Sequence, residues 1–371
     1  MSDAAEAHEA EALLERVRET RLLPSDRPVV ALLSGGRDSV CLLDVAVRLC
    51  GNRTVHALHV NYGLREAADD DERHCAALCE ALGVQLNVVQ AKRPQEGAGN
   101  LQAWARDARY EAAIELAKHL DAPKHFDTPE RLDVSERLDA PERLDAPERL
   151  DVSEHLDAPK QLGTLIAAGH TASDQVETIL YRLAASPGRR ALLGMAAAEG
   201  RLIRPLLGCS REQTAAYCRA RGLSWREDES NLSDRYARNR VRHGLLPQLR
   251  AVHPAAESNV LRTAELLRAE TELLESLVDA ELEGGDGIAL QRLAELPQAL
   301  ARLVVVRLAE RAGDGLVPQA GDRVAEILQL GARGGSAELH IGGSVGAMLR
   351  QGRLSMVKLP PRAQRRQADD E

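Results

Sequence analysis

The sequence predicts an α/β fold, a doubly wound parallel sheet followed by a helical region and a small α+β domain. Three observations predict it. Apolar runs at Val29–Leu33, Thr54–Val60, Val84–Val89 and Leu162–Gly169 read as buried strands and alternate with helical patterns. The first run passes directly into Ser34-Gly35-Gly36-Arg37-Asp38-Ser39, and a helix-spaced apolar segment, Val40–Val47, follows. The strand ends carry polar clusters, where ligands bind in open α/β sheets.

In chain order, Ala4–Leu23 reads as a polar helix stopped by Pro24. The glycine loop then forms a strand-to-helix turn. A helix N-terminus offers unpaired N–H groups and the positive end of the dipole, which suits phosphate. Gly35 and Gly36 let the backbone approach an anion, and Ser34 and Ser39 add hydroxyls. Asp38 would repel phosphate by itself and makes sense as a ligand for Mg²⁺. The loop lacks the Gly-Lys-Ser/Thr ending of a Walker motif. Residues 69–82 read as a helix ended by Gly83, and 100–120 as a helix with Arg106 and Arg109 on one face.

From Leu120 to Gln161 run seven hexapeptides of the type LDAPER, 42 residues with net charge −6. Proline in five of the seven units opposes a regular helix, and one Leu or Phe per unit gives little apolar surface to bury. A low-complexity insertion, dispensable from 121 to 161, is the expectation. The strand at 162–169 then ends in His170, with Asp174 and Glu177 in the first helical turns beyond it. The two acids share a helix face, and acids there also suit the dipole.

Composition bounds the function. The net charge is −9 over 371 residues, yet residues 201–250 hold 11 Arg against five acids, a concentration suited to a phosphate backbone. Arg204, Arg238 and Arg242 lie in it. With one Phe, two Trp and five Tyr, base stacking rests on few residues. No window suits a membrane span, the first twenty residues do not read as a secretory signal, and the six cysteines form no C-x-x-C pair, which together lead to the expectation of a reduced, cytoplasmic protein. Residues 255–311 read as helical, residues 331–358 as short antiparallel strands, and the tail after Pro360 as polar coil.

SGGRDS at 34–39 resembles the SGGxDS loop of the ATP pyrophosphatases. With HVNYGLR at 59–65, ARDARY at 105–110, GHTASDQVET at 169–178, IRPLL at 203–207, WREDESN at 225–231 and RNRVR at 238–242, the chain resembles the tRNA(Ile)-lysidine synthetase family over residues 28–250. The resemblance implies an adenine nucleotide alpha hydrolase-like, Rossmann-like catalytic domain at 28–250, after an N-terminal helix at 1–27. A helical linker at 251–310, a small substrate-binding domain at 311–360 and a tail at 361–371 would complete the chain. It implies ATP and Mg²⁺ as cofactors, with free L-lysine and tRNA(Ile) bearing a CAU anticodon as partners, no membrane, and a homodimer among the possible assemblies. It places ATP on Ser34, Gly35, Gly36, Arg37, Asp38 and Ser39, the metal on Asp38, and lysine on His170, Asp174 and Glu177. Asp38, His170, Asp174 and Glu177 would carry catalysis, and Arg106, Arg109, Arg204, Arg238 and Arg242 would meet phosphate or tRNA. Tyr62 stands where the family usually has His and is given no role; the hexapeptide array is foreign to the family, and the extra terminal domain of its longer members is not expected. A tRNA thiolase, a small-molecule ligase of the same superfamily and a non-catalytic tRNA-binding protein remain alternatives.

Overall fold

Val29, Ala31 and Leu33 turn to one face of the first strand, and Val30 and Leu32 to the other; each set is buried in a separate apolar core. Period-two alternation with both faces buried is what a central parallel strand requires. The computed structural model describes residues 3–63, 68–91, 101–122, 163–186, 188–227, 237–313, 315–342 and 344–359. The hexapeptide units beyond Ala122, together with Leu64, Arg65, residues 228–231 of WREDESN and the polar tail, lie outside them. The chain divides into two units, residues 1–264 and 265–371.

The first unit runs α1 (Asp3–Thr20), β1 (Val29–Leu32), α2 (Arg37–Cys50), β2 (Val55–Asn61), α3 (Ala68–Leu82), β3 (Gln85–Gln90), α4 (Leu101–Asp121), β4 (Leu165–Ala167) and α5 (Ala172–Ala185). After these come α6 (Arg189–Leu192), β5 (Ala198–Glu199), β6 (Leu202–Ile203), α7 (Arg211–Ala220), α8 (Ala237–Arg240), a π-helical turn (Val241–Leu245) and α9 (Leu246–Val252). The strand order is β3-β2-β1-β4-β6-β5. The first five are parallel, and β5 is an antiparallel edge on β6. The order reverses between β1 and β4, so the crevice of a doubly wound sheet opens above their carboxyl ends. Helices α1, α2, α3 and α7 supply the core on one face, and α4 supplies it on the other through Ala108, Ala112, Ala113, Leu116 and Ala117.

The end of α4 is pinned to the start of β4. Asp121 Oδ1 accepts from Thr164 N at 2.7 Å and from Thr164 Oγ1 at 2.8 Å, while Oδ2 pairs with Arg201. The two ends of the hexapeptide segment are thus already held together by residues of the domain. This moves the boundary of the dispensable region, because Asp121 must stay. Removal of residues 124–160 would leave a link of ordinary length. It is expected to shift the melting temperature by less than about 4 °C, roughly 1 kcal/mol in a domain of this size. A thermal melt of the deletion variant checks this; a fall of tens of degrees would show that the array packs on the domain.

The long helix α10 (Ala256–Leu282) leads into the second unit, which continues with β7 (Gly287–Ala289), α11 (Leu290–Glu295), α12 (Gln298–Ala312), a 3₁₀ turn (Pro318–Arg323), α13 (Val324–Ala332), β8 (Ala337–Gly342), β9 (Val345–Arg350) and β10 (Arg353–Lys358). Its antiparallel sheet has the order β7-β10-β9-β8. Val304, Val305, Leu308, Ile327, Leu349 and Leu354 are buried in its core. The expected helix over 255–311 is interrupted here. Helix α10 stops before Gly284, and Gly287–Ala289 pairs with Arg353–Ser355. No helix among the described residues is long and apolar enough to cross a membrane.

Candidate active site

The glycine loop joins the carboxyl end of β1 to the N-terminus of α2. Gly35 has φ +80°, a conformation that side chains with a Cβ rarely adopt, and Gly36 has no side chain with which to cap the helix. Ser34 Oγ and Ser39 Oγ lie 3.1 Å apart, and Ser39 Oγ donates to Gly36 O at 2.7 Å, so the two hydroxyls brace the turn from within. Opposite, Gly169 ends the β4 segment so close that a Cβ there would lie 3.0 Å from the Asp38 carbonyl oxygen and 3.2 Å from Ser39 N. That approach brings His170 and the start of α5 against the loop. From a third direction, Arg226 N donates to Gly35 O at 2.9 Å while its guanidinium pairs with Asp71 at 2.6 Å.

Asp38 lies at the second position of α2 with its side chain 22% exposed. Its Oδ1 accepts from Arg37 Nε at 3.1 Å and from Thr214 Oγ1 at 2.5 Å. Among the described residues no group of three or more His, Cys, Asp or Glu could hold a metal ion, so an all-protein cage is absent there. One half-buried carboxylate beside an anion cradle instead fits Mg²⁺, which keeps much of its coordination for water and phosphate oxygens.

Asp174 and Glu177 are brought to the same place and are both paired with arginine. Asp174 Oδ2 closes the capping box of α5, accepting from Thr171 N at 2.9 Å and Oγ1 at 2.7 Å. Its Oδ1 accepts from Arg211 Nη2 at 2.6 Å. Burial pushes the Asp174 carboxyl up, but the Arg211 charge and the Thr171 hydrogen bonds outweigh it and hold the group below the usual carboxylate range. Glu177, with a side chain only 2% exposed, accepts a fork from Arg242 at 2.7 and 2.9 Å and a further bond from Arg211 Nη1 at 2.9 Å. Arg242 projects from the π-helical turn, an irregularity common at functional sites.

His170 follows β4, half-buried, with an Nδ1 that is out of water and has no hydrogen-bond partner among the described residues. Burial, together with the positive charges of Arg204, Arg106 and Arg238, lowers its pKa to about 3 in spite of Asp174. The imidazole is therefore neutral at physiological pH.

The arginines divide. Arg106 and Arg238 lie near enough for their charges to lower the His170 pKa, and the Arg106 guanidinium carbon lies 5.0 Å from the Tyr110 ring centroid. Arg109 departs from them: its Nε donates to Tyr62 Oη at 3.1 Å, and Tyr62 Oη in turn donates to Ala105 O at 2.9 Å. Tyr62, given no role from sequence, thus fixes Arg109 at the end of β2. Arg204 is 4% exposed, with Nη1 donating to Ala196 O at 2.6 Å and Nη2 to Glu199 at 3.2 Å. It braces the turn before β6 and adds charge near His170, a placement unsuited to a nucleic-acid backbone. Sequence reasoning missed Arg211 and Thr214. Both lie in the first turn of α7, whose capping box, Ser210 with Gln213, was the available signal. The cysteines offer no sulfur-carrying chemistry: all six are buried, and burial pushes the Cys75 thiol up to about 12 and the Cys79 thiol up to about 11.

A parallel strand, a Ser-Gly-Gly turn bearing Asp38 and a helix N-terminus make up the loop of a PP-loop domain. The family model described as a PP-loop domain matches residues 6–128 and 148–249, passing over the middle of the hexapeptide array. A tRNA(Ile)-lysidine synthase of Gloeobacter violaceus is 32% identical over 77% of this chain and 78% of its own length. That of Azoarcus sp. is 34% identical over 77% of this chain and 56% of its own. The chain belongs to the tRNA(Ile)-lysidine synthase family, within the PP-loop proteins. It spans about half the length of several of the curated relatives it matches. The U34-tRNA thiolase NcsA of Methanococcus maripaludis shares the fold, with a TM-score of 0.50 at 16% identity over 70% of this chain and 79% of that one.

Proposed function

We propose that the chain joins free L-lysine to the wobble cytidine of the CAU anticodon of tRNA(Ile), in the cytoplasm, with ATP converted to AMP and pyrophosphate. One observation carries the reading. Asp38 on the glycine loop and the acidic pair Asp174 and Glu177 meet above the carboxyl ends of the adjacent strands β1 and β4, linked by Arg211.

The cytidine 2-oxygen is a poor leaving group and is first adenylated by attack on the ATP α-phosphate, with pyrophosphate departing. The loop N–H groups, the exposed Ser34 and the α2 dipole receive the phosphates, with Ser39 bracing the turn beneath them. Asp38 would hold Mg²⁺, which supplies charge compensation for the phosphate oxygens when bound. The lysine ε-amine then displaces AMP. Asp174, with a side chain 21% exposed, is the carboxylate an incoming ammonium reaches; Glu177 holds the two arginines beneath it. His170, neutral and with its Nδ1 unpartnered among the described residues, offers a lone pair to the amine. Arg106 and Arg238 are placed for phosphate charge beside it.

The test is product stoichiometry with tRNA, ATP and lysine together. Equal amounts of AMP, pyrophosphate and RNA-bound lysine support the reading; ADP with orthophosphate, or nucleotide cleavage without lysine in the RNA, overturns it.

A further inference from the structure

A cation is disfavoured in the first turn of a helix, where the dipole is already positive. Arg211 is nevertheless the first residue of α7, directly after its Ser210 cap. What offsets it comes from two other helices. Its Nη1 lies 2.9 Å from Glu177 Oε1 and its Nη2 lies 2.6 Å from Asp174 Oδ1, both on α5; its Nε lies 3.8 Å from Asp38 Oδ2 on α2. Three residues along, Thr214 Oγ1 donates to Asp38 Oδ1 at 2.5 Å, so the start of α7 holds Asp38 by a hydrogen bond at one oxygen and an ion-pair contact at the other. The bridge is anchored from behind, since Ala172 N at the start of α5 donates to Cys209 O just before α7 at 2.8 Å.

We infer that Arg211 is a positioning residue that sets the loop carboxylate Asp38 against the acidic pair Asp174 and Glu177, giving the nucleotide and lysine steps one shared geometry. The inference rests on the lysidine-forming reading above. A planar guanidinium with donors on three nitrogens spans three carboxylates; an ammonium is a compact point charge and cannot reach all three at once. Arg242 shares the acidic pair, with its fork on Glu177 and its Nη2 3.5 Å from Asp174 Oδ1, but among the described residues it makes no ion pair with Asp38, so it does not substitute.

The experiment compares the full chain with Arg211→Lys and Arg211→Gln, measuring lysine KM, ATP KM, lysine-independent pyrophosphate release and the melting temperature. Arg211→Lys keeps the charge and is expected to fold. Its lysine KM should rise by about tenfold and that of Arg211→Gln by up to about a hundredfold, the loss of one charge-assisted hydrogen bond or more. ATP KM should change less than about threefold, because the loop backbone still receives the phosphates, but lysine-independent pyrophosphate release should fall in both variants as Asp38 loses its contact with Arg211. Wild-type lysine KM and kcat in Arg211→Lys would overturn the inference, as would a lowered melting temperature with both KM values unchanged. A parent chain that attaches no lysine to tRNA would overturn the functional reading and this inference with it. Lysine use by the parent with unaltered constants in Arg211→Lys would overturn the inference alone.

Discussion

Asp38→Asn is expected to abolish nucleotide-dependent pyrophosphate release while leaving the fold intact. The side chain lies outside the buried cores; its Oδ1 accepts from Arg37 Nε and Thr214, while its Oδ2 accepts a long bond from Arg37 Nη2 at 3.5 Å and lies 3.8 Å from Arg211 Nε. An amide oxygen can accept the two shorter bonds, so the loop keeps its shape, while the longer contacts with Arg37 Nη2 and Arg211 are lost. What Asn lacks is the charge a hard cation needs; a neutral amide is a far weaker ligand for Mg²⁺ than a carboxylate. Without it, charge on the departing pyrophosphate goes uncompensated, and electrostatic stabilisation of this kind is commonly worth about 10²–10³ in rate for a single group. Pyrophosphate release measured with ATP and tRNA in the absence of lysine, beside a thermal melt, checks it. Near-parental release in a folded Asn variant would remove Asp38 from the nucleotide step.

Glu177→Gln is expected to damage the lysine step and the stability together. The carboxylate is buried and carries three bonds from two arginines. Glutamine keeps one acceptor oxygen but presents an NH₂ group to a guanidinium, and it leaves Arg211 and Arg242 without one of their countercharges. Removing one partner of a buried ion pair costs about 3–5 kcal/mol, and the 20% and 23% exposure of the two arginine side chains puts the expectation at the lower end or beneath it. Displacement of Arg211 would also disturb Asp174. Lysine KM should then rise by about ten- to a hundredfold, while ATP KM changes little. Steady-state constants for both substrates decide the matter. A raised ATP KM with an unaltered lysine KM would move Glu177 to the nucleotide side of the crevice.

The parts of this site visible in the sequence were those with a local cause. The run Val29–Leu33 into Ser34-Gly35-Gly36 announces a strand, a turn needing positive φ and a helix start within a dozen residues, and the structure has all three. Asp174 and Glu177 follow a strand end at helical spacing, and the structure brings them to the loop. Arg211 was illegible because a cation at a helix start reads as mildly unfavourable; its reason is supplied by acids from residues 38, 174 and 177. Arg204 looked like one of a basic set, but burial depends on the turn that folds over it. Arg106 and Arg109 share a helix face by spacing, yet Tyr62 from a distant strand draws Arg109 aside. Strand β7 has three residues, too few for any periodic signal, and its partner β10 lies far along the chain.

The most direct test of the account is the nucleoside content of a CAU-anticodon isoleucine tRNA incubated with the full chain, ATP and isotopically labelled lysine, then digested and weighed by mass spectrometry. The wobble cytidine is expected to gain the mass of lysine less water, to carry the label, and to do so only when ATP is present. An unchanged cytidine, or a mass gain matching sulfur, would contradict it.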